Sequence, residues 1–336
     1  MKRSCITLVC LVASACGSGS KSPSAPTPTT SPQPPPAPWT LAGRVVATVH
    51  GQPVGGARIE ASSLSATTDG DGRFTFSQAS APSGALQATI NASSYLSRET
   101  ALGSLRGPQD LQIDLISLAS PFSLRFYKQL VRDALESPEL LPLYRWTQPP
   151  RVSLHPFDDA GRPLPTEVMT VIREAVPRAV AEWSGGLFQG VTLEEVVVAD
   201  WEEGWIVLHA LRSQSSEVCG TAGFRYRDEG RIVMARVTLT VGKCSCGSRK
   251  VSPNTVSHEI AHAMGYWHVD GPHVLGQTAG GCSALEKQVI TPLEAAHARI
   301  AYQRPPGNRD PDRDPEGFAL ATGGRTRESR TVVCSQ

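Results

Sequence analysis

Between residues 39 and 118 the chain alternates apolar and polar positions in short runs, at 41–49, 57–61, 73–76, 85–90 and 111–116. A period of two sends successive side chains to opposite faces, which predicts half-buried strands. Turn chemistry separates the runs: Gly51-Gln52-Pro53, Gly55-Gly56 and Asp69-Gly70-Asp71-Gly72. Short strands joined by Gly-rich turns predict an antiparallel β-sandwich over 39–118. Asp69 and Asp71 could ligate calcium, although shaping a hairpin turn is the simpler role for them.

The pattern is different before residue 39. Lys2 and Arg3 precede a short apolar run at 6–13, and the small residues Ser14 and Ala15 follow it. That run is too short to span a bilayer, and 1–15 reads as an export signal. Processing before Cys16 would make it a lipid-carrying first residue; ordinary cleavage would leave it a free end. Residues 16–38 carry Pro at 23, 26, 28, 32, 34, 35, 36 and 38 and few apolar side chains. Such a segment cannot repay the cost of ordering and is expected to be an extended tether, up to roughly 70 Å at about 3.1 Å per residue.

A different signature appears at 252–268. Ser252 is a helix cap and Pro253 suits the first helical position. His258 and His262 stand four residues apart, so both project from one helical face and can reach one metal ion. Glu259 follows the first of them, where a general base stands beside a metal without ligating it. On a continued helix His268 would lie about 9 Å further along and round the cylinder from His262. Gly265 supplies a break, because a residue without Cβ can end a helix in a left-handed conformation and turn the chain back. His258, His262 and His268 then form three neutral ligands with an open fourth position, the pattern of a catalytic Zn2+ site.

Two resemblances follow. The runs Gly43-Arg44-Val45, 52–59 (QPVGGARI) and 68–76 (TDGDGRFTF) resemble the carboxypeptidase regulatory-like family of transthyretin-like β-sandwiches. That implies a fold and no activity. Some related modules carry a Lys–Asn crosslink, which the absence of Lys between Lys21 and Lys128 excludes. No His has Glu three residues on, so the chain is not itself a zinc carboxypeptidase. Residues 258–268 (HEIAHAMGYWH) resemble the metzincin motif, and the likeness covers about 121–306. It implies an α+β protease domain with a mixed twisted sheet and long helices. The first long helix is expected at 166–183, strands at 191–198, 205–211 and 232–241, and a last helix from Thr291 to about Tyr302. The resemblance further implies an edge strand that pairs with extended substrate, for which 231–241 is the candidate. Leu275 stands where metzincins place a methionine beneath the metal. Asp270 is either a partner behind the ligands or a turn residue.

The whole is expected to be multidomain, an N-terminal all-β sandwich followed by the metzincin-like domain and an extended, solvated tail at 307–336. The function this implies is a secreted or lipid-anchored zinc endopeptidase acting on peptide or protein substrates at the cell envelope or surface. A gluzincin would keep His258, Glu259 and His262 but take Glu286 or Glu294 as third ligand. The alternative of another class is a non-catalytic, zinc-containing surface lipoprotein used for adhesion or binding. A net charge of +1 in 336 residues, with no Lys/Arg run, argues against nucleic acid. Cys219, Cys244, Cys246, Cys282 and Cys334 fit structural disulfides of an exported protein. His155, His209 and His297 read as ordinary structural residues.

Overall fold

The computed structural model describes residues 38–78, 80–103, 110–212, 218–241, 251–276, 288–318, 320 and 330–335. The export signal, Cys16, nearly all of the tether, Cys244, Cys246, Cys282 and Glu286 lie outside them. Among the described residues the chain has an N-terminal β-sandwich followed by an α/β region with a mixed sheet.

The sandwich has seven strands: β1 (Trp39–Ala47), β2 (Arg58–Ala61), β3 (Leu64–Thr67), β4 (Arg73–Gln78), β5 (Gln87–Asn91), β6 (Arg98–Ala101) and β7 (Asp110–Leu115). One sheet has the order β4-β1-β7 and the other β3-β2-β5-β6. The alternation read from sequence is real: Leu41, Val45, Ile59, Phe74, Phe76, Ile90 and Ile113 meet in one core. Two details differ from expectation. β3 and β6 lack a strong apolar alternation, and β1 pairs β7 in parallel, so the sandwich is not purely antiparallel. Asp69 does the work of a turn, its Oδ1 accepting from the amides of Asp71 at 3.0 Å and Arg73 at 2.8 Å.

The second region contains α1 (Leu124–Arg132), β8 (Arg145–Trp146), β9 (Arg151–Asp158), α2 (Thr166–Trp183), β10 (Leu193–Glu194), β11 (Trp205–Leu211), β12 (Gly220–Arg227), β13 (Arg231–Thr240), α3 (Pro253–Ala263), α4 (Pro292–Ala301) and β14 (Arg330–Ser335). Its sheet runs β10-β9-β11-β13-β12-β14, with β8 beside β13. β9, β10, β11 and β13 are parallel, whereas β12 is reversed between β13 and β14. Helices α2 and α3 pack together, and α3 lies across β12 and β13. The indole Nε1 of Trp183 donates to Ser257 Oγ at 2.9 Å and fixes that helix pair deep in the core.

Three expectations are corrected here. First, 231–241 is not an edge strand: β13 is paired on both sides, as its almost continuously buried side chains require. Second, the strand expected at 191–198 shrinks to Leu193–Glu194, because Val196 and Val197 point to solvent. Third, among its described residues the tail is only partly solvated. Asn308, Asp312 and Asp314 are buried, and Arg330–Ser335 is a sheet strand. The alternating Asp and Arg residues that suggested a solvated segment find partners in the protein instead.

Some of those partners come from the sandwich. Arg304 is fully buried, and its Nε donates to Asp312 Oδ1 at 2.7 Å while its guanidinium also meets Asp114 of β7. Arg98 of β6 joins Asp114 and, at 2.8 Å, Asp314. Backbone pairing seals the seam: Glu99 N donates to Asp312 O at 3.0 Å and Asp314 N to Glu99 O at 2.9 Å. Burial alone would raise the Asp114 pKa, but Arg304, Arg98 and hydrogen bonds from Thr48 and Arg304 outweigh it and hold the carboxyl at about 2. A folded pKa below the unfolded one stabilises the protein above about pH 4, and that stability is lost as pH falls through about 2. Asp114→Asn should therefore cost about 2 kcal/mol at pH 7. Urea unfolding of the variant should show a flatter loss of stability from pH 4 to 2 than the parent.

Candidate metal centre

Helix α3 forms where the sequence places it. Ser252 Oγ accepts from Thr255 N at 3.1 Å, and Pro253 occupies the first turn. The helix ends at Met264, and Gly265 takes φ +100°. Gly265 N donates to His262 O at 2.9 Å and Tyr266 N to Ala261 O at 3.1 Å. These two bonds make a Schellman motif, which satisfies the last carbonyls and reverses the chain. Only glycine fits, since a Cβ here would stand 2.3 Å from the Tyr144 carbonyl oxygen.

The reversal brings His268 back to His258 and His262. Their Nε2 atoms are 3.1 Å (258 to 262), 3.2 Å (262 to 268) and 3.3 Å (268 to 258) apart. All three residues are buried. Each Nδ1 has its own acceptor: the Val274 carbonyl for His258 at 2.7 Å, the Tyr266 carbonyl for His262 at 2.8 Å, and Glu136 Oε1 for His268 at 2.7 Å. Carbonyls and carboxylates only accept, so the ring protons sit on Nδ1. No hydrogen is then left on any Nε2, and three lone pairs converge on one point. Neutral acceptors at these distances repel unless a cation lies between them; this histidine triad could hold a metal ion. Burial, then the charge of His268, pushes the His258 pKa down to about 3, and burial followed by both neighbours holds His262 far below its usual value. Both rings are therefore kept in the neutral form that ligates.

Glu259 is 1% exposed, and its Oε1 has no hydrogen-bond partner among the described residues. Burial pushes its carboxyl up to about 8. It lies over Gly220, the first residue of β12, where an added Cβ would come within 2.6 Å of Glu259 Cγ and Oε1. Glycine at that position is what gives the carboxyl room.

The remaining expected residues separate clearly. Leu275 is fully buried and its amide donates to Glu294 Oε1 at 2.9 Å, which steadies the loop whose Val274 carbonyl orients His258. Glu294 also closes the capping box of α4 with Thr291, so this carboxylate is committed to structure and stands outside the triad. Asp270 accepts from Gln129 Nε2 at 2.7 Å and pairs with Arg125, which ties it to α1. His155 and His209 sit against each other, ring centroids 4.1 Å apart, on β9 and β11. His297 bonds Leu293 O through Nδ1 and the Ser123 backbone through Nε2. Sequence reasoning missed Glu136, which lies 132 positions from His268 with no motif around it, and Gly220. Cys219, just before β12, is disulfide-bonded.

Residues 40–116 match the carboxypeptidase regulatory-like domain. The N-terminal sandwich is such a domain. Among curated protein sequences, none matches the chain. An interface mutant of a type II cohesin–X-dockerin complex from Acetivibrio cellulolyticus is 27% identical over 22% of this chain and 51% of its own, with a TM-score of 0.18. The chain thus corresponds to about half the length of that protein. A DUF3823 family protein from Parabacteroides merdae is 16% identical over 24% of this chain and 45% of its own, TM-score 0.18. A putative membrane-associated protein of unknown function from Bacteroides fragilis is 12% identical over 46% of each chain, TM-score 0.20. No described helix here is long and apolar enough to cross a membrane.

Removing the partner that orients a ligating imidazole weakens metal binding about 10–100-fold. Glu136→Ala should do so in a chelator competition titration, while the thermal midpoint of the metal-free protein stays close to that of the parent.

Proposed function

We propose that the chain is an exported, zinc-dependent endopeptidase of the metzincin type, tethered through lipid at Cys16. The observation that carries this reading is the convergence of three Nε2 atoms on one point, on a helix that also carries a buried carboxyl whose Oε1 has no hydrogen-bond partner among the described residues. Zinc held tetrahedrally at about 2.0–2.1 Å from each imidazole requires ligand nitrogens roughly 3.3 Å apart. The separations of 3.1–3.3 Å fit that requirement. Three histidines with no fourth protein ligand among the described residues favour a catalytic over a structural site.

Zinc in such a site supplies Lewis acidity, lowering the pKa of a water and polarising a scissile carbonyl. The chain's own residues do the rest. His258, His262 and His268 would hold the metal through Nε2, and their Nδ1 partners fix ring orientation. Glu259 accepts the proton of the attacking water on its free carboxylate oxygen and passes it to the departing amine. Burial raises its pKa, and a cation beside it favours ionisation, so the two opposed influences leave it a base that can take and return a proton near neutrality. With Glu294 engaged by Leu275 and Thr291, it is disfavoured as the third ligand of a gluzincin.

The non-catalytic lipoprotein is the competing reading, and one substitution separates the two. Glu259→Gln should keep stoichiometric zinc yet lower cleavage of a mixed peptide library by about 10²–10⁴-fold, the usual share of a general base. His268→Ala should lose both zinc and cleavage. Zinc bound with no cleavage by the parent protein would leave the binding lipoprotein as the reading.

A further inference from the structure

The sheet of the second region has a face that the helices do not cover. Leu154, Leu208 and Val237 of β9, β11 and β13 point into the core shared with α2 and α3. Strand alternation sends their neighbours Ser153, His155, Val207, His209 and Arg236 to the opposite side. The segment joining β10 to β11 lies across that side and is fastened to four strands in turn. His155 Nε2 of β9 meets the Val198 backbone, 2.9 Å from its oxygen and 3.3 Å from its nitrogen. His209 Nε2 of β11 is 2.6 Å from Asp200 Oδ1, and Asp200 Oδ2 pairs with Arg236 of β13 at 3.3 Å. On β12, Arg225 stacks over the Trp201 ring at 4.6 Å and Arg227 pairs with Glu203 at 2.6 Å.

Ser153, Val207 and Arg236 form one row beneath these fastenings. Ser153 and Val207 are fully buried although they face away from the helices, and Ser153 Oγ has no hydrogen-bond partner among the described residues. On the segment itself Val196 and Val197 are exposed. Residues 195–204 therefore form a strap, with solvent on one side and the outer face of the sheet on the other.

Two of the fastenings are histidines in contact with each other, their ring centroids 4.1 Å apart. Asp200 favours a proton on His209, but a charged His155 and Arg236 oppose it. Burial first, then His155, outweigh Asp200 and hold the His209 pKa below its ordinary value. A base depressed in the closed form stabilises that form above its ordinary pKa, about 6.5, and the stabilisation is lost as pH falls below it.

We infer that residues 195–204 are an acid-released strap, closed over the outer face of the sheet while His155 and His209 are neutral and lifted from it when the pair takes up charge. Release converts acidification of the surroundings into exposure of Ser153 and Val207. The inference stands apart from the peptidase reading, since none of these residues belongs to the metal centre.

The test is hydrogen exchange of the full chain between about pH 7.5 and about pH 5, corrected for the intrinsic pH dependence of amide exchange. Peptides covering 195–204 should lose about 10-fold in protection over that range, while peptides covering α2 keep theirs. A His155→Gln/His209→Gln variant retains hydrogen-bonding side chains at both fastenings and cannot be charged there. Its strap should stay protected throughout. The variant also keeps the strap's other charged contacts, Glu195 with Arg173 of α2, Asp200 with Arg236 and Glu203 with Arg227. The same loss of protection in this variant as in the parent would assign the response to those groups and overturn the inference. Strap protection in the parent that does not change with pH overturns it as well. Should the double variant not fold, His155→Gln alone removes the opposing charge, and release should move to lower pH. An unchanged midpoint in that variant counts against the histidine pair.

Discussion

Three neutral imidazoles can point their lone pairs at one another inside a protein only if the rest of the fold holds them there. The holding is done from behind, where each Nδ1 has its own acceptor. The three acceptors come from different places: the turn after α3, the loop at Val274 and the segment after α1. Each in turn needs its own support. The Tyr266 carbonyl is placed by the Schellman turn at Gly265, and the Tyr266 hydroxyl donates to the Trp183 carbonyl at 2.8 Å. The Val274 loop hangs from Glu294, whose carboxylate serves Leu275 and Thr291 at once. The α1 segment is fastened by Gln129 to Asp270, two residues past His268. The triad is thus the point where α1, α3 and α4 are tied together.

The N-terminal domain enters this arrangement through charge. Arg304 follows α4 directly, and its fully buried guanidinium is neutralised by Asp312 and, from the sandwich, Asp114. A buried cation with one partner removed is strongly unfavourable, about 3–5 kcal/mol, whereas the complete cluster needs no net stabilising effect to persist. The cluster therefore acts as a condition of assembly: the segment after α4 can fold back only against a sandwich that presents Asp114 and Arg98. The carboxypeptidase regulatory-like domain is accordingly built into the protein here, on the same footing as the helices.

What could be read in the sequence was what local geometry determines. The helix Thr166–Trp183, the strand Trp205–Leu211, the Ser252 cap and the Gly265 break each follow from spacing, capping or conformational freedom within a few residues. The triad was legible for the same reason, since its ligands span eleven positions. Glu136 and Gly220 were not legible, because their roles exist only once distant segments meet. The tail was misread for a physical cause: a run of alternating Asp and Arg resembles solvated chain until its partners are known, and Asp314 finds Arg98 216 positions away while Asp312 meets Arg304, itself held by Asp114 190 positions away. The misplacement of the edge strand is similar. A run such as 231–240, buried almost throughout, marks a strand paired on both sides.

The reversed direction of β12 gives the sheet its functional asymmetry. In a parallel sheet the strands all end on one side, and loops at that side build a site. Here one strand runs the other way, and its first residue arrives under the helix that carries His258 and His262. A glycine is required at that residue by the carboxyl above it. β14 covers the outer side of β12, whose amides and carbonyls would otherwise be an aggregation liability.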